Sequence, residues 1–156
     1  IDRADTFDVD GWFATGDLGA VEDAQDEETG SRVWLRGRAK DMIKSGGENV
    51  SPEEVERVLN AHADVATSVV IGASHEKWGE AVVAVVKLRV TAAGTEDERI
   101  AALREWCAEL RLARFKIPKC FVFTEDVRSN AMGKLMRAAT ASVNSAAIAE
   151  AVARVR

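Results

Sequence analysis

Apolar β-branched runs alternate with stretches of helical periodicity along most of the chain, and each predicts an element. Residues 66–72 and 81–90 are such runs and predict two adjacent strands joined by the loop from Ser74 to Gly79. Upstream, Val55, Val58, Leu59 and His62 recur at i, i+3, i+4 and i+7, which places one apolar stripe on a helix. Its start is signalled three times: Ser51 suits the N-cap, Pro52 the first helical position, and Glu54 completes an S-x-x-E capping box. Thr95-Glu96-Asp97-Glu98 is a second capping box, opening a helix whose Ile100, Leu103, Cys107 and Leu110 share a face with Trp106 beside them. Phe115-Lys116-Ile117-Pro118 is expected to end that element, because Pro118 disfavours helix at Ile117. Cys120–Phe123 predicts a short strand, and the Ala-rich residues 138–156 predict a terminal helix. Near the start, residues 12–15 predict a short strand ending at the Gly16-Asp17 turn, and Arg32-Val33-Trp34-Leu35-Arg36 predicts its return. Between them Glu22, Asp23, Asp26, Glu27 and Glu28, with Gly30, predict a solvated acidic hairpin tip. No internal repeat is present.

Composition adds limits. A chain of 156 residues can bury one respectable core, and 47% hydrophobic and 30% charged residues with only 2 Pro are globular values. No run approaches a membrane span and no signal segment opens the chain, so a soluble cytoplasmic protein is expected. A formal net charge of −5 argues against a nonspecific nucleic-acid binder. Cys107 and Cys120 have neither zinc-site nor disulfide-framework spacing and are expected to be buried small hydrophobes.

The densest local signal is Gly37-Arg38-Ala39-Lys40-Asp41-Met42-Ile43-Lys44-Ser45-Gly46-Gly47-Glu48-Asn49-Val50-Ser51-Pro52-Glu53-Glu54. It reads as a basic strand exit, an apolar step, a two-glycine loop and the helix start. Gly46-Gly47 permits φ > 0 and close approach of a ligand, yet the same pattern serves an ordinary strand–loop–helix connection. Asp17 is either a turn aspartate bonding its own backbone or a carboxylate free to accept from a diol. Arg38 by itself reads as a surface arginine pairing with the acidic tip. Lys134, after Gly133, is either one exposed lysine among many or a charge carried into a cleft.

This stretch resembles the core signature of the adenylate-forming (ANL) enzymes, which include acyl-CoA synthetases, peptide-synthetase adenylation domains and firefly luciferase. Two further segments resemble the same family in the same order: Gly11-Trp12-Phe13-Ala14-Thr15-Gly16-Asp17-Leu18-Gly19 and Asn130-Ala131-Met132-Gly133-Lys134-Leu135. The resemblance reaches to about Arg137 and covers only the C-terminal part of a family member. It implies an α+β fold: a small C-terminal domain (residues 41–156) with a short mixed or antiparallel sheet flanked by helices. The last β-hairpin of a larger N-terminal domain (residues 1–40) precedes it, with the hinge at Lys40. Asp17 and Arg38 would bind the nucleotide's ribose and phosphate. Lys134 would be catalytic, because joining a carboxylate to an α-phosphate brings two anions together and calls for a positive charge between them. Gly46 and Gly47 would line the pantetheine path of CoA. Trp78 and Phe115 would meet the CoA nucleotide, or else serve as core or edge packing, and Lys116 would meet a CoA phosphate.

The function implied is that of an ATP-dependent, AMP-forming carboxylate–CoA ligase, with Mg2+ expected to accompany ATP and to bind outside these residues. The family's phosphate loop and acyl pocket are absent here, so this segment alone is expected to be inactive and to need the N-terminal domain. Arg128 stands where the last motif often has proline, which leaves the lysine in place but puts in doubt acetylation control that depends on that proline. One alternative is a related enzyme that loads a carrier protein, separable by comparing thioester formation on CoA and on carrier. Another is a stand-alone binding module, which a start codon just before Ile1 would favour and an upstream reading frame would exclude.

Overall fold

Positive-φ glycines and one cross-strand ladder shape the first part of the computed structural model, which describes residues 7–22 and 30–155. The chain divides into two compact units, residues 1–41 and 42–156. In the first, β1 (Asp17–Glu22) and β2 (Arg32–Arg38) pair antiparallel. The register runs Asp17↔Arg38, Leu18↔Gly37 and then Gly19↔Leu35, so Arg36 is the extra residue of a bulge. Residues 12–15 lie outside any strand, contrary to expectation. Gly16, at φ +75°, turns the chain immediately before Asp17, so Asp17 opens a strand instead of following one. Most of the acidic tip lies outside the described residues. Val21, Val33 and Leu35 remain exposed, because two strands alone cannot bury a face. A 3-10 turn, Ala39–Asp41, follows β2 and carries an exposed Lys40.

The second unit opens with a tight hairpin of β3 (Ile43–Ser45) and β4 (Glu48–Val50), leading into α1 (Pro52–Asn60). The long strands β5 (Val65–His75) and β6 (Gly79–Leu88) follow, then α2 (Glu96–Glu109) and β7 (Cys120–Phe123). α3 (Arg137–Val143) and α4 (Ser145–Ala153) close the chain. β5 pairs with one edge of β6 along its length. The other edge takes β3 at Ser45↔Gly79 and β7, in parallel, from Val83 to Val86. The sheet is therefore mixed and the fold α+β, as the resemblance implies.

Helices cover both faces, which is why β6 reads as a continuous apolar run instead of an alternation. Val82, Ala84 and Val86 join Val55, Leu59, Leu103 and Cys107 on the α1/α2 side, whereas Val83 and Val85 join Cys120, Val122 and Ile148 on the α4 side. Each fully buried valine contributes roughly 1.5–3 kcal/mol. Burial pushes the Cys107 thiol up to about 11 and raises that of Cys120, so both stay protonated and serve as packing groups.

Three boundaries differ from expectation for identifiable reasons. α2 stops at Glu109, well before Pro118, in a Schellman closure: Arg111 N–H donates to the Ala108 carbonyl and Leu112 N–H to that of Cys107. Arg111 takes φ +58° at the position glycine usually fills, and Leu112 is buried in its stead where Leu110 had been expected. The Ala-rich tail is two helices, broken at Asn144, whose amide donates to the carbonyls of Asp126 and Thr140. β6 ends at Leu88, leaving Val90 fully exposed. Of the two capping boxes, Thr95/Glu98 is reciprocal, whereas the Glu54 carboxylate is drawn to Lys116. No helix among the described residues is long and apolar enough to cross a membrane.

Candidate functional site

Asp17 and Arg38 meet as a cross-strand pair at the open end of the first unit's hairpin. Arg38 Nε lies 3.4 Å from Asp17 Oδ1, with both side chains close to half exposed. Thr15 Oγ1 accepts from Asp17 N–H and Gly16 C=O accepts from Ala39 N–H, which fixes this end of the ladder. A long, solvated contact of this kind leaves the remaining carboxylate and guanidinium positions open to a ligand. The pair thus offers a diol acceptor and an anion donor side by side.

Lys134 lies in the second unit, on a loop fastened by its own backbone. Ser129 and Leu135 form a bridge, Asn130 N–H donates to Lys134 C=O, and Gly133 N–H to Asn130 C=O. The Asn130 side chain accepts from both Met132 N–H and Lys134 N–H, at 3.0 and 2.9 Å. Gly133, at φ +79°, makes the reversal possible. The Lys134 ammonium is exposed and has no partner among the described residues. Its backbone is held while its charge is left free.

The stem of this loop is tied to the sheet three residues on. Val70 is on the outer edge of β5, where its N–H donates to Glu56 Oε1 at 2.8 Å and its C=O accepts from Arg137 Nε at 2.9 Å. Arg137 Nη2 reaches both Glu56 oxygens, at 2.9 and 3.1 Å, and Glu53 at 3.3 Å. Burial pushes the Glu56 carboxyl above its ordinary range, while the Val70 N–H and the Arg137 charge pull it back. The clamp blocks an open strand edge and fixes the chain leading from Lys134.

Gly46-Gly47 forms the two-residue turn between β3 and β4, with φ +61° and +86°, the doubly positive pattern of a type I′ hairpin. This is a strand–turn–strand corner, not a loop running directly into the helix. Gly46 N–H donates to the Trp78 carbonyl at 2.9 Å, and a Cβ on Gly46 would stand 3.7 Å from the indole Cδ1. A Cβ on Gly47 would meet nothing within 4 Å. Trp78 is half-buried, with the ammonium groups of Lys77 and Lys119 at 5.5 and 5.7 Å from its ring. An aromatic face with two cations beside a turn without side chains suits a purine nucleotide carrying phosphates and a narrow arm.

The structure therefore groups Gly46, Gly47 and Trp78, and it pairs Asp17 with Arg38. Phe115, about one-third exposed, has Lys116 for its neighbour, with the ammonium 5.8 Å from the ring. Lys116 is mostly buried and gripped by both Glu54 oxygens at 2.7 and 2.8 Å, so its charge is already answered within the unit. Lys119 and Lys77, which no sequence motif marks, are the cations beside the Trp78 ring. Their signal was weak: Lys119 stands three residues beyond Lys116, and only the turn at Pro118 separates the two environments. Among the described residues no group of three or more His, Cys, Asp or Glu side chains could hold a metal ion.

Residues 54–134 match the AMP-binding enzyme C-terminal domain. Indoleacetate–CoA ligase of Aromatoleum aromaticum is 42% identical over 128 residues, which cover 82% of this chain and 23% of that protein. Long-chain-fatty-acid–CoA ligase FadD13 of Mycobacterium tuberculosis is 39% identical over 133 residues, 85% of this chain and 24% of that one. The crystal structure of ATP-bound MatB from Rhodopseudomonas palustris superposes with a TM-score of 0.72 at 36% identity, covering 90% of this chain and 26% of its own. The chain thus spans about a quarter of the length of the curated relatives it matches. The three motifs and the mixed sheet agree with these matches, and the chain belongs to the family of AMP-binding enzyme C-terminal domains.

Proposed function

We propose that this chain is the mobile C-terminal domain, with the last hairpin of the preceding domain, of an ATP-dependent carboxylate–CoA ligase. The observation that carries the reading is Lys134, an unpaired ammonium on a loop whose backbone is fastened by Asn130 and whose stem is clamped by Arg137. In the first step a substrate carboxylate oxygen bonds to the α-phosphorus of ATP and pyrophosphate leaves. Lys134 lies between the two anions as they approach, where a point charge on a flexible stem suits the changing geometry. Asp17 and Arg38 hold the ribose and phosphate oxygens. Mg2+ accompanies ATP and is held by residues outside this chain.

In the second step the CoA thiol gives up its proton to solvent, its sulfur bonds to the acyl carbon, and AMP leaves as the C–O bond breaks. The Gly46-Gly47 turn admits the pantetheine arm, while Trp78, Lys77 and Lys119 receive the nucleotide and its phosphates. Phe115 adds to that contact, and Lys116, beside its ring, braces α1 through Glu54 at the edge of the phosphate path. Rotation about Lys40 exchanges the Lys134 face for the Gly46-Gly47 face between steps. The hairpin residues Val21, Val33 and Leu35 are apolar and exposed, a face for the rest of the larger domain to cover. Without that domain the segment is inactive.

The paired cations at Trp78 favour free CoA over a carrier protein, because a carrier's phosphopantetheine lacks the adenosine phosphates they would meet. The test incubates the intact ligase with ATP, a panel of aliphatic and aryl acids, and either CoA or a phosphopantetheinylated carrier protein. Thioester on CoA with release of AMP is expected. Thioester on the carrier alone would overturn the choice of acceptor, and adenylate formation with neither thioester would overturn the second step.

A further inference from the structure

His75 is the last residue of β5, paired with Gly79 across the turn of residues 76–78, and its ring is fixed on three sides. Nδ1 accepts from Lys77 N–H at 3.1 Å, so Nε2 carries the hydrogen and donates to the Val155 carbonyl at 2.9 Å. One face of the ring stacks on the Trp78 indole, with centroids 4.3 Å apart and planes 29° from parallel. Trp78 in turn holds Gly46 through its carbonyl. A contact chain therefore runs from Val155, two residues past α4, through His75 and Trp78, to the glycine turn. α4 itself is anchored by Ile148, Ala151 and Val152 in the core beneath β5 and β7. No other described aromatic ring has such a combination of stacking and two engaged nitrogens at a turn that carries a candidate ligand contact.

We infer that His75 is a positioning residue for the thiol-transfer step: it sets the plane of the Trp78 indole, and so the receiving face for the CoA nucleotide. This rests on the assignment of the Trp78 corner to CoA. An indole on a three-residue turn has two free torsions, and the ammonium groups of Lys77 and Lys119, 5.5 and 5.7 Å from its centroid, are flexible neighbours that do not fix them. The stacked imidazole removes that freedom. It is held there by the Val155 carbonyl, two residues past the end of α4, which gives the segment after the terminal helix a task of its own. A purely structural role would act on folding and depress every activity alike, whereas the positioning role acts on CoA alone.

The test measures the KM for CoA, the KM for ATP and the rate of acyl-adenylate formation in the intact ligase. It compares His75→Ala, Trp78→Ala, the double variant and His75→Phe. His75→Ala should raise the KM for CoA about three- to tenfold, the worth of an aromatic stack, with adenylation unchanged. The double variant should be no worse than Trp78→Ala, since His75 acts through the indole. His75→Phe, which keeps the stack, should recover part of the loss. If Trp78→Ala raises the KM for CoA while His75→Ala does not, the inference falls and the CoA corner stands. If Trp78→Ala itself has no effect on CoA, the corner assignment falls and the inference with it. Proportionate loss of both half-reactions in His75→Ala would make the residue structural only and overturn the proposal.

Discussion

Replacing Arg137 with methionine removes the cation from the Val70–Glu56 clamp while keeping most of the side chain's bulk. Glu56 is 12% exposed and Arg137 23%, so this is a buried pair, and the more exposed contact to Glu53 adds little. Breaking such a pair from one side costs about 3–5 kcal/mol, because the remaining carboxylate keeps only the Val70 N–H as partner. The loss should depend on pH. Burial already raises the Glu56 pKa above its unfolded value, so the folded state binds that proton more tightly and stability falls as pH rises through the interval between the two. Without Arg137 the folded value climbs further, and the interval widens upward. Arg137→Met should therefore be most destabilising near neutral pH and less so on acidification, as Glu56 takes up its proton. Adding Glu56→Gln should rescue much of the loss, since an amide still accepts from Val70 and carries no charge to bury. Denaturant unfolding of the two variants and the parent, at pH 5 and pH 7.5, reads all of these effects. A loss below about 1 kcal/mol, an equal loss at both pH values, or a double variant worse than the single would refute the reasoning.

Two further outcomes follow from the backbone. Gly47→Leu should lower stability by roughly 1–2 kcal/mol from the left-handed strain at φ +86°. It should also slow thioester formation much more than adenylation in single-turnover assays of the intact ligase, and selective damage to adenylation would sink the pantetheine path. Lys40→Pro should leave one half-reaction largely intact and block the other, because proline fits the φ of a 3-10 turn but cannot leave it. Equal loss of both half-reactions, or of neither, would move the pivot elsewhere.

The elements most legible in the sequence were those whose signals are local. The Thr95/Glu98 box, the Ser51-Pro52 start and the valine runs of β5 and β6 each specify their own backbone, and each forms the element its pattern predicts, with the end of β6 displaced. What was not legible depends on partners far away in the chain. Glu54 was read as half of a capping box, but Lys116, 62 residues on, offered its carboxylate a charge in a partly buried site. Arg111 adopts the conformation of a missing glycine because Leu112 gains burial by it, and no local rule ranks that gain. Asn144 breaks the Ala-rich tail because carbonyls of Asp126 and Thr140 are within reach of its amide. The candidate site follows the same division. Gly46, Gly47 and Lys134 were visible through motifs, whereas Lys119 over Trp78, the imidazole behind that indole and the Arg137 clamp exist only through tertiary packing.

The central claim is that Lys134 supplies the charge for adenylation and no other step, and it is tested most directly by Lys134→Ala in the intact ligase. Acyl-adenylate formation, followed by release of pyrophosphate, is compared with thioester formation from supplied acyl-adenylate and CoA. The first should fall about a hundred- to thousandfold, corresponding to roughly 2.7–4 kcal/mol for a preorganised charge, while the second stays close to the parent rate. Equal loss in the two half-reactions, or an unchanged rate of adenylation, would contradict the account.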